Sequence, residues 1–230
     1  SHITSTSDAA MYGVAYNLAM ILTFVLNAIN GSYVPWLYGK IKKNKAQDNK
    51  SISLILIMLM GLIILCVIWY APEIILIMAG KQYSVAIYVV APVSMSLLLL
   101  FYSQLFINIE FYYEEKKMLV YGSIGAAVLN IILNGLLIPI FGFVAAGYTT
   151  LISYIVFALS NYYTMRLMLK KRKLDDDMYD YKLLLLLFVA FMISGFLGVA
   201  LYGNLILRIL ITLVVFGLLV INKNKFIDAL

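Results

Sequence analysis

Apolar residues fall in long runs along this chain, and short polar segments interrupt them. A helix that crosses a bilayer needs about 20 largely apolar residues, within a range of about 17–25. Seven runs meet that requirement, at 13–37, 52–71, 84–112, 118–138, 143–167, 182–201 and 205–221. The third is long, and Pro92 is expected to kink it near its start. The fourth and fifth meet at Pro139, Ile140, Phe141 and Gly142, a junction without charge. It reads as a helix hairpin inside the membrane. Pro139 lacks a backbone N–H and biases the preceding residue away from helix. Gly142 can take backbone angles that other residues avoid. Ala145, Ala146 and Gly147 are small enough to let a neighbouring helix come close. Pro139, Gly142 and Gly147 are therefore the hinge candidates. The last two runs are separated only by Tyr202, Gly203 and Asn204, which predicts a second tight hairpin.

Composition agrees with this pattern. The 230 residues are 64% hydrophobic and 12% charged, whereas a soluble domain carries roughly 25% charged residues. The fold class expected is an all-α polytopic membrane protein with about seven transmembrane helices. The net charge of +6 does not point to nucleic acid, because the basic residues are confined to short loops between apolar runs. Cys66, the single cysteine, lies within a run, and His2, the single histidine, is near the start. An internal disulfide and a cysteine-based metal site are thereby excluded. No signal peptide is visible. The start, Ser1-His2-Ile3, lacks a methionine, which fits a fragment.

The basic residues predict the orientation. Lys40, Lys42, Lys43, Lys45 and Lys50 lie in one loop, and Lys116 and Lys117 in another. Arg166, Lys170, Lys171, Arg172, Lys173 and Lys182 surround a third, and Lys223 and Lys225 are in the tail. With seven spans these fifteen share one side, against Lys81 alone on the other, with Arg208 inside the last span. That places the C-terminus in the cytoplasm. The expected divisions are an extracytoplasmic lead-in (1–12), a five-helix core (13–167), a solvated charged linker (168–181), a C-terminal helix pair (182–222) and a cytoplasmic tail (223–230). An odd span count starting outside suits the later half of a longer protein.

Polar groups inside spans are the functional candidates in a membrane protein. Asn27 and Asn30 lie in the first span, Gln104 and Asn108 in the third, and Asn130 and Asn134 in the fourth. The last two pairs are each spaced by one helical turn, so both members share a face. Neutral amides donate and accept hydrogen bonds. They suit a wet pathway contacting sugar hydroxyls, and equally suit bonds between helices. Glu110 is the one acid clearly inside a span. It reads either as a proton or cation site, or as a side chain snorkelling towards Lys116 and Lys117. Arg208, four residues past the outer turn, is expected to anchor to lipid headgroups. Tyrosines such as Tyr33, Tyr38, Tyr112 and Tyr162 at span ends suit an interfacial aromatic belt.

Enzyme readings are weak. There is no HExxH, no pair of aspartates within a span, no cysteine cluster and no glycine-rich phosphate loop. No Ser/His pair is possible beyond His2. No cofactor is implied.

Four stretches carry a family resemblance: MYGVAYNLAMIL…AINGSYVPWLYGKI, APEIILIMAGKQYSVAIYVVAPVS, LFINIEFYYEEKK and LNIILNGLLIPIFGFVAAGYTTLISY. In this order they resemble the polysaccharide, or lipid-linked oligosaccharide, flippases of the multidrug/oligosaccharidyl-lipid/polysaccharide exporter superfamily. The likeness spans roughly residues 10–165 and fades in the last two spans. It implies a two-lobed bundle of up to fourteen helices that alternates access by rocking about a site between its repeats. This chain would be the second lobe, and its partners the bilayer, the missing N-terminal half and an undecaprenyl-diphosphate-linked glycan. The family carries that glycan from the cytoplasmic to the outer leaflet of the bacterial cytoplasmic membrane. Its basic cavity residues come largely from the first lobe, so this half is expected to supply neutral polar contacts and a moving wall.

Other readings compete with this one. A peptidoglycan precursor or a drug could be the cargo, although a drug exporter would show more acids within its spans. A membrane polysaccharide polymerase or glycosyltransferase would need a larger charged outer loop than 72–83, which holds only Glu73 and Lys81. An inactive scaffold is the third class.

Overall fold

The structure is a computed structural model that describes residues 6–115, 117–174 and 177–221. Every regular element there is helical. The helices are α1 (Thr6–Lys42), α2 (Asn49–Trp69), α3 (Ala71–Met78), α4 (Ile87–Tyr112), α5 (Lys117–Phe141), α6 (Val144–Lys171), α7 (Tyr181–Ala200) and α8 (Leu205–Ile221). Short 3₁₀ turns at Ala46–Asp48 and Lys81–Ala86 lead into α2 and α4. Six of the helices, α1, α2, α4, α5, α6 and α7, are long and apolar enough to cross a membrane. α8 has 17 residues, the lower limit for a span. The chain is an all-α polytopic membrane protein.

α4 is the axis of the bundle. It is apolar nearly all round, which is the pattern of a helix enclosed by others. α6, α1, α2 and α7 pack on it. The hydroxyls of Ser96 and Ser103 donate to its own carbonyls, at Val93 (2.6 Å) and Leu99 (2.9 Å), so they add no unmet polarity to the core. α2 packs on α7 as well as on α4, and α5 lies outside, mainly against α6. The outer face of α5 is apolar and open, with Ile131 and Ile140 about 70% exposed.

α1, α4 and α6 end alike. Asn44, Glu114 and Lys173 take left-handed backbone angles, at φ 55°, 61° and 55°. The next residue's N–H reaches back to the carbonyl five positions earlier, from Lys45 to Lys40, Glu115 to Glu110 and Leu174 to Leu169. These are Schellman caps, which satisfy carbonyls that a helix end leaves open.

Several expectations need correction. The third run forms one helix that begins at Ile87, not at 84, with Pro92 inside it. Pro139 is not the hairpin turn, since α5 runs past it to Phe141. The break falls at Gly142, whose φ of +73° only glycine adopts freely, and its N–H donates to the Ile138 carbonyl (2.9 Å). α1 begins at Thr6, so residues 6–12 of the expected extracytoplasmic lead-in are part of that helix. The lead-in before Thr6, including His2, and the tail 223–230 lie outside the described residues.

The supposed solvated linker is docked on the bundle. α6 reaches Lys171, Met178 and Tyr179 are buried, and the Tyr179 hydroxyl donates to the Leu105 carbonyl (2.6 Å). Asn49 Nδ2 donates to the Met178 carbonyl (3.1 Å), and Lys50 pairs with Asp177. Met178 and Tyr179 are apolar anchors set among charges, and their burial outweighs the polarity of the neighbouring aspartates.

Candidate functional site

The amides within spans occupy separate helix seams. On α1, Asn30 is half-buried and faces α4, where Asn108 Nδ2 donates to its Oδ1 (2.8 Å). Gln104 stands one turn before Asn108, and its buried Oε1 has no hydrogen-bond partner among the described residues. Asn27, three residues before Asn30 on α1, is exposed. Asn17 of α1 is also exposed.

Asn130 and Asn134 lie on the face of α5 turned to α6. Asn134 Nδ2 donates to Asn130 Oδ1 (3.0 Å), and the Thr149 hydroxyl of α6 donates to Asn134 Oδ1. Next to this seam α6 meets α4 at Gly147, where a Cβ would stand 2.9 Å from the Pro92 ring. A side chain there would hold the two helices apart. The six amides expected to line one pathway are thus divided: Asn30 with Asn108, Asn130 with Asn134, Gln104 in the core, and Asn27 on the surface. Hydrogen bonds between helices engage three of them, Asn30, Asn108 and Asn134, while Asn130 accepts from Asn134 on its own helix.

Glu110 does not snorkel. It is 2% exposed near the end of α4. Its Oε1 accepts a hydrogen bond from the Thr164 hydroxyl of α6 (2.5 Å), and its Oε2 has no partner among the described residues. The side chains of Lys116 and Lys117, its expected companions, lie outside the described residues. Asn161, one turn before Thr164, likewise has a buried and unpartnered Oδ1. A buried carboxyl oxygen and a buried amide oxygen, both acceptors, suit a proton or a small cation. Among the described residues, no group of three or more His, Cys, Asp or Glu could hold a metal ion.

Arg208 does not reach for headgroups. It is 1% exposed, and its guanidinium grips Glu73 of α3 through both carboxylate oxygens. It also donates to the Trp69 carbonyl and, at 3.4 Å, to the Tyr202 carbonyl. Taken singly in the sequence, neither Arg208 nor Glu73 signals this pair. The available signal was their opposite charge at the same end of the spans. The Arg208 guanidinium holds the Glu73 carboxyl below its usual titration range.

The basic loops meet at one end of the bundle. Arg172 donates to the Tyr113 carbonyl (2.9 Å) and pairs with Glu115, and Lys50 pairs with Asp177. α3, Lys81 and the 201–204 turn occupy the opposite end. Tyr33 is buried and donates to Asn49 Oδ1 (2.7 Å), so it is a core residue and not part of an aromatic belt. No protein-family model, curated protein or solved structure matches the chain.

Proposed function

We propose that this chain is the second lobe of a flippase that carries an undecaprenyl-diphosphate-linked oligosaccharide across the bacterial cytoplasmic membrane by alternating access. One observation carries the reading, the difference between the open faces of α1 and α5. The open face of α5 is apolar from Ile124 to Phe141, as lipid requires, with Tyr121 and Ser123 exposed towards its start. The open face of α1 presents Asn17 and Asn27. Amides are costly against hydrocarbon, so that face calls for protein or water. A first lobe and a hydrated path between lobes supply both. The resemblance in sequence points to the same arrangement.

In this reading Asn17 and Asn27 touch the sugar path, while Asn30 and Asn108 hold α1 to α4 as the wall moves. Glu110 is the position that binds a proton or cation. No covalent chemistry is required of the chain. The end rich in lysine and arginine faces the cytoplasm, as does the C-terminus.

Deletion of the gene, followed by complementation with the wild type or with Asn17→Leu/Asn27→Leu, tests the proposal. The deletion should abolish surface glycan and leave the lipid-linked sugar in the inner leaflet, and the variant should restore less than the wild type. Normal surface glycan in the deletion strain would overturn it. Arrest of cell-wall synthesis would assign the cargo to a peptidoglycan precursor instead.

A further inference from the structure

Glu110 and Thr164 meet in the seam between α4 and α6, and the donors and acceptors around them do not balance. The Thr164 hydroxyl lies 2.5 Å from Glu110 Oε1 and 3.2 Å from the Asn161 carbonyl. It carries one proton, so it can serve one of the two at a time. Asn161 adds a further acceptor. Its Nδ2 is engaged with the Phe157 carbonyl (2.8 Å), and its Oδ1 is buried without a partner among the described residues. Glu110 Oε2 is in the same position. Acceptors therefore outnumber donors around a carboxyl that is 2% exposed. A carboxylate buried without a matching charge is costly.

The charged side chains nearby do not supply that charge. Arg172, at the end of α6, pairs with Glu115 (3.2 Å) and donates to the Tyr113 carbonyl. Arg166 of α6 lies against Tyr162 and Tyr181. α1 meets this part of α4 through Asn30 and the ring of Tyr38, neither of them charged. Lys40 of α1 pairs with Asp48, Lys50 of α2 pairs with Asp177, and Lys182 of α7 is exposed. Glu115 is the acid whose charge reaches Glu110, and it is of like sign. The side chains of Lys116 and Lys117 lie outside the described residues.

We propose that the ligand of this site is a proton and not a metal ion, carried by Glu110 as an O–H that donates to Thr164 Oγ1, while the Thr164 O–H donates to the Asn161 carbonyl. One proton turns the surplus of acceptors into a chain in which each hydroxyl has an acceptor. It also makes Oε2 the oxygen of a neutral acid, which is cheaper to leave unpaired than half of a carboxylate. A hard divalent cation takes about six oxygens or more, and this seam offers one carboxyl, one amide oxygen and one hydroxyl. When Glu110 gives its proton to water, the Thr164 O–H has to turn to the carboxylate, and Oε2 has to find a donor that the closed seam lacks. Loss of the proton therefore goes with parting of α4 and α6 at this end. The inference rests on Glu110 being the ion position named above, and it needs no particular cargo.

The test is infrared spectroscopy of the full chain in lipid vesicles, compared in H₂O and D₂O. A protonated carboxyl has a C=O stretch set apart from the carboxylate bands, and it moves down in D₂O. At neutral pH the wild type should show one such band, because Glu73 is held charged by Arg208 and the surface acids are ionised. Glu110→Gln, which keeps the shape of the neutral acid, should lose the band. Thr164→Val should keep it and shift it upward, because the acid O–H loses its acceptor. Raising the pH should remove the band from the wild type. Absence of the band from the wild type at neutral pH would overturn the proposal, as would its persistence in Glu110→Gln. Loss of the band on adding sodium or potassium at constant pH would give the site to a metal ion and overturn it too. An unshifted band in Thr164→Val would reject Thr164 as the acceptor. None of these readouts involves a glycan, so their failure and a failure of the flippase reading are told apart.

Discussion

Arg208 on α8 and Glu73 on α3 form a two-pronged ion pair, with Nη1 2.8 Å from Oε2 and Nη2 2.7 Å from Oε1. The partners are unequal. The arginine side chain is 1% exposed, and the glutamate side chain is 34% exposed. The same guanidinium donates to the carbonyl of Trp69, the last residue of α2. One side chain thus fastens α8 to the end of α2 and to α3.

That inequality predicts an asymmetric response to mutation. Glu73→Ala leaves a buried guanidinium without its countercharge, and loss of one partner from a buried pair costs about 3–5 kcal/mol. Arg208→Met leaves a carboxylate that reaches water, and removes mainly the bond to the Trp69 carbonyl, at roughly 1–3 kcal/mol. Urea or detergent unfolding should therefore rank Glu73→Ala well below Arg208→Met. Equal losses would show that Arg208 reaches water in the membrane.

The pair also sets a pH dependence. The folded carboxyl of Glu73 titrates below its usual value because the Arg208 hydrogen bonds favour the charged form. Its contribution is therefore fully present above the unfolded value of about 4.3 and is lost as the pH falls through the lower, folded value. Melting temperatures of wild type and Glu73→Gln should run parallel from pH 8 down to about 5 and converge below about 4. Convergence at neutral pH would contradict the pairing.

The helices were legible in the sequence because a bilayer imposes length and hydrophobicity on each span. The ends were less so. Pro139 suggests a turn, yet α5 runs through it to Phe141, and the αL position of Gly142 decides the break. Met178 and Tyr179 were hidden among aspartates. Pairing was the least legible feature. Spacing shows that Asn130 and Asn134 share a face, and it cannot show that Thr149 meets them. Glu110 offered two readings, and only its neighbour across the seam, Thr164, separates them.

Two glycines near the outer end of α7 separate rigid from yielding contacts. At Gly198 a Cβ would stand 2.7 Å from the Trp69 ring, which its own N–H holds to the Ser194 carbonyl (3.0 Å). At Gly195 the obstacle is the terminal methyl of Met95, a flexible chain end. Gly198→Ala should cost roughly 1–3 kcal/mol and Gly195→Ala clearly less. Thermal unfolding of the two variants checks the order.

The three Schellman caps predict gains instead of losses. Glu114 and Lys173 hold left-handed angles without glycine's freedom, at about 1–2 kcal/mol. Glycine removes that strain but adds unfolded-state entropy of roughly 0.5–1 kcal/mol. Glu114→Gly and Lys173→Gly should each stabilise by up to about 1 kcal/mol. Asn44→Gly should change little, because asparagine already tolerates the conformation. Melting curves for the three variants decide it, and destabilisation by Lys173→Gly would count against the cap.

The seam between α5 and α6 offers the sharpest distinction between holding and carrying. Asn134 bonds to Asn130 on its own helix and to Thr149 on the next. Hydrogen bonds between helices in a membrane contribute about 0.6 kcal/mol on average and at most about 1.7. A double-mutant cycle of Asn134→Leu and Thr149→Val should recover a coupling of that size, because each substitution removes the same bond. On the proposed flippase function, an amide that serves only the seam lets glycan export fall in proportion to the folded protein lost. If it also contacts cargo as α5 moves, export per folded molecule should fall further with Asn134→Leu than with Thr149→Val, because valine at 149 leaves the Asn134 oxygen free to accept from a sugar hydroxyl. The structure, with both amide groups of Asn134 already engaged, predicts the first outcome.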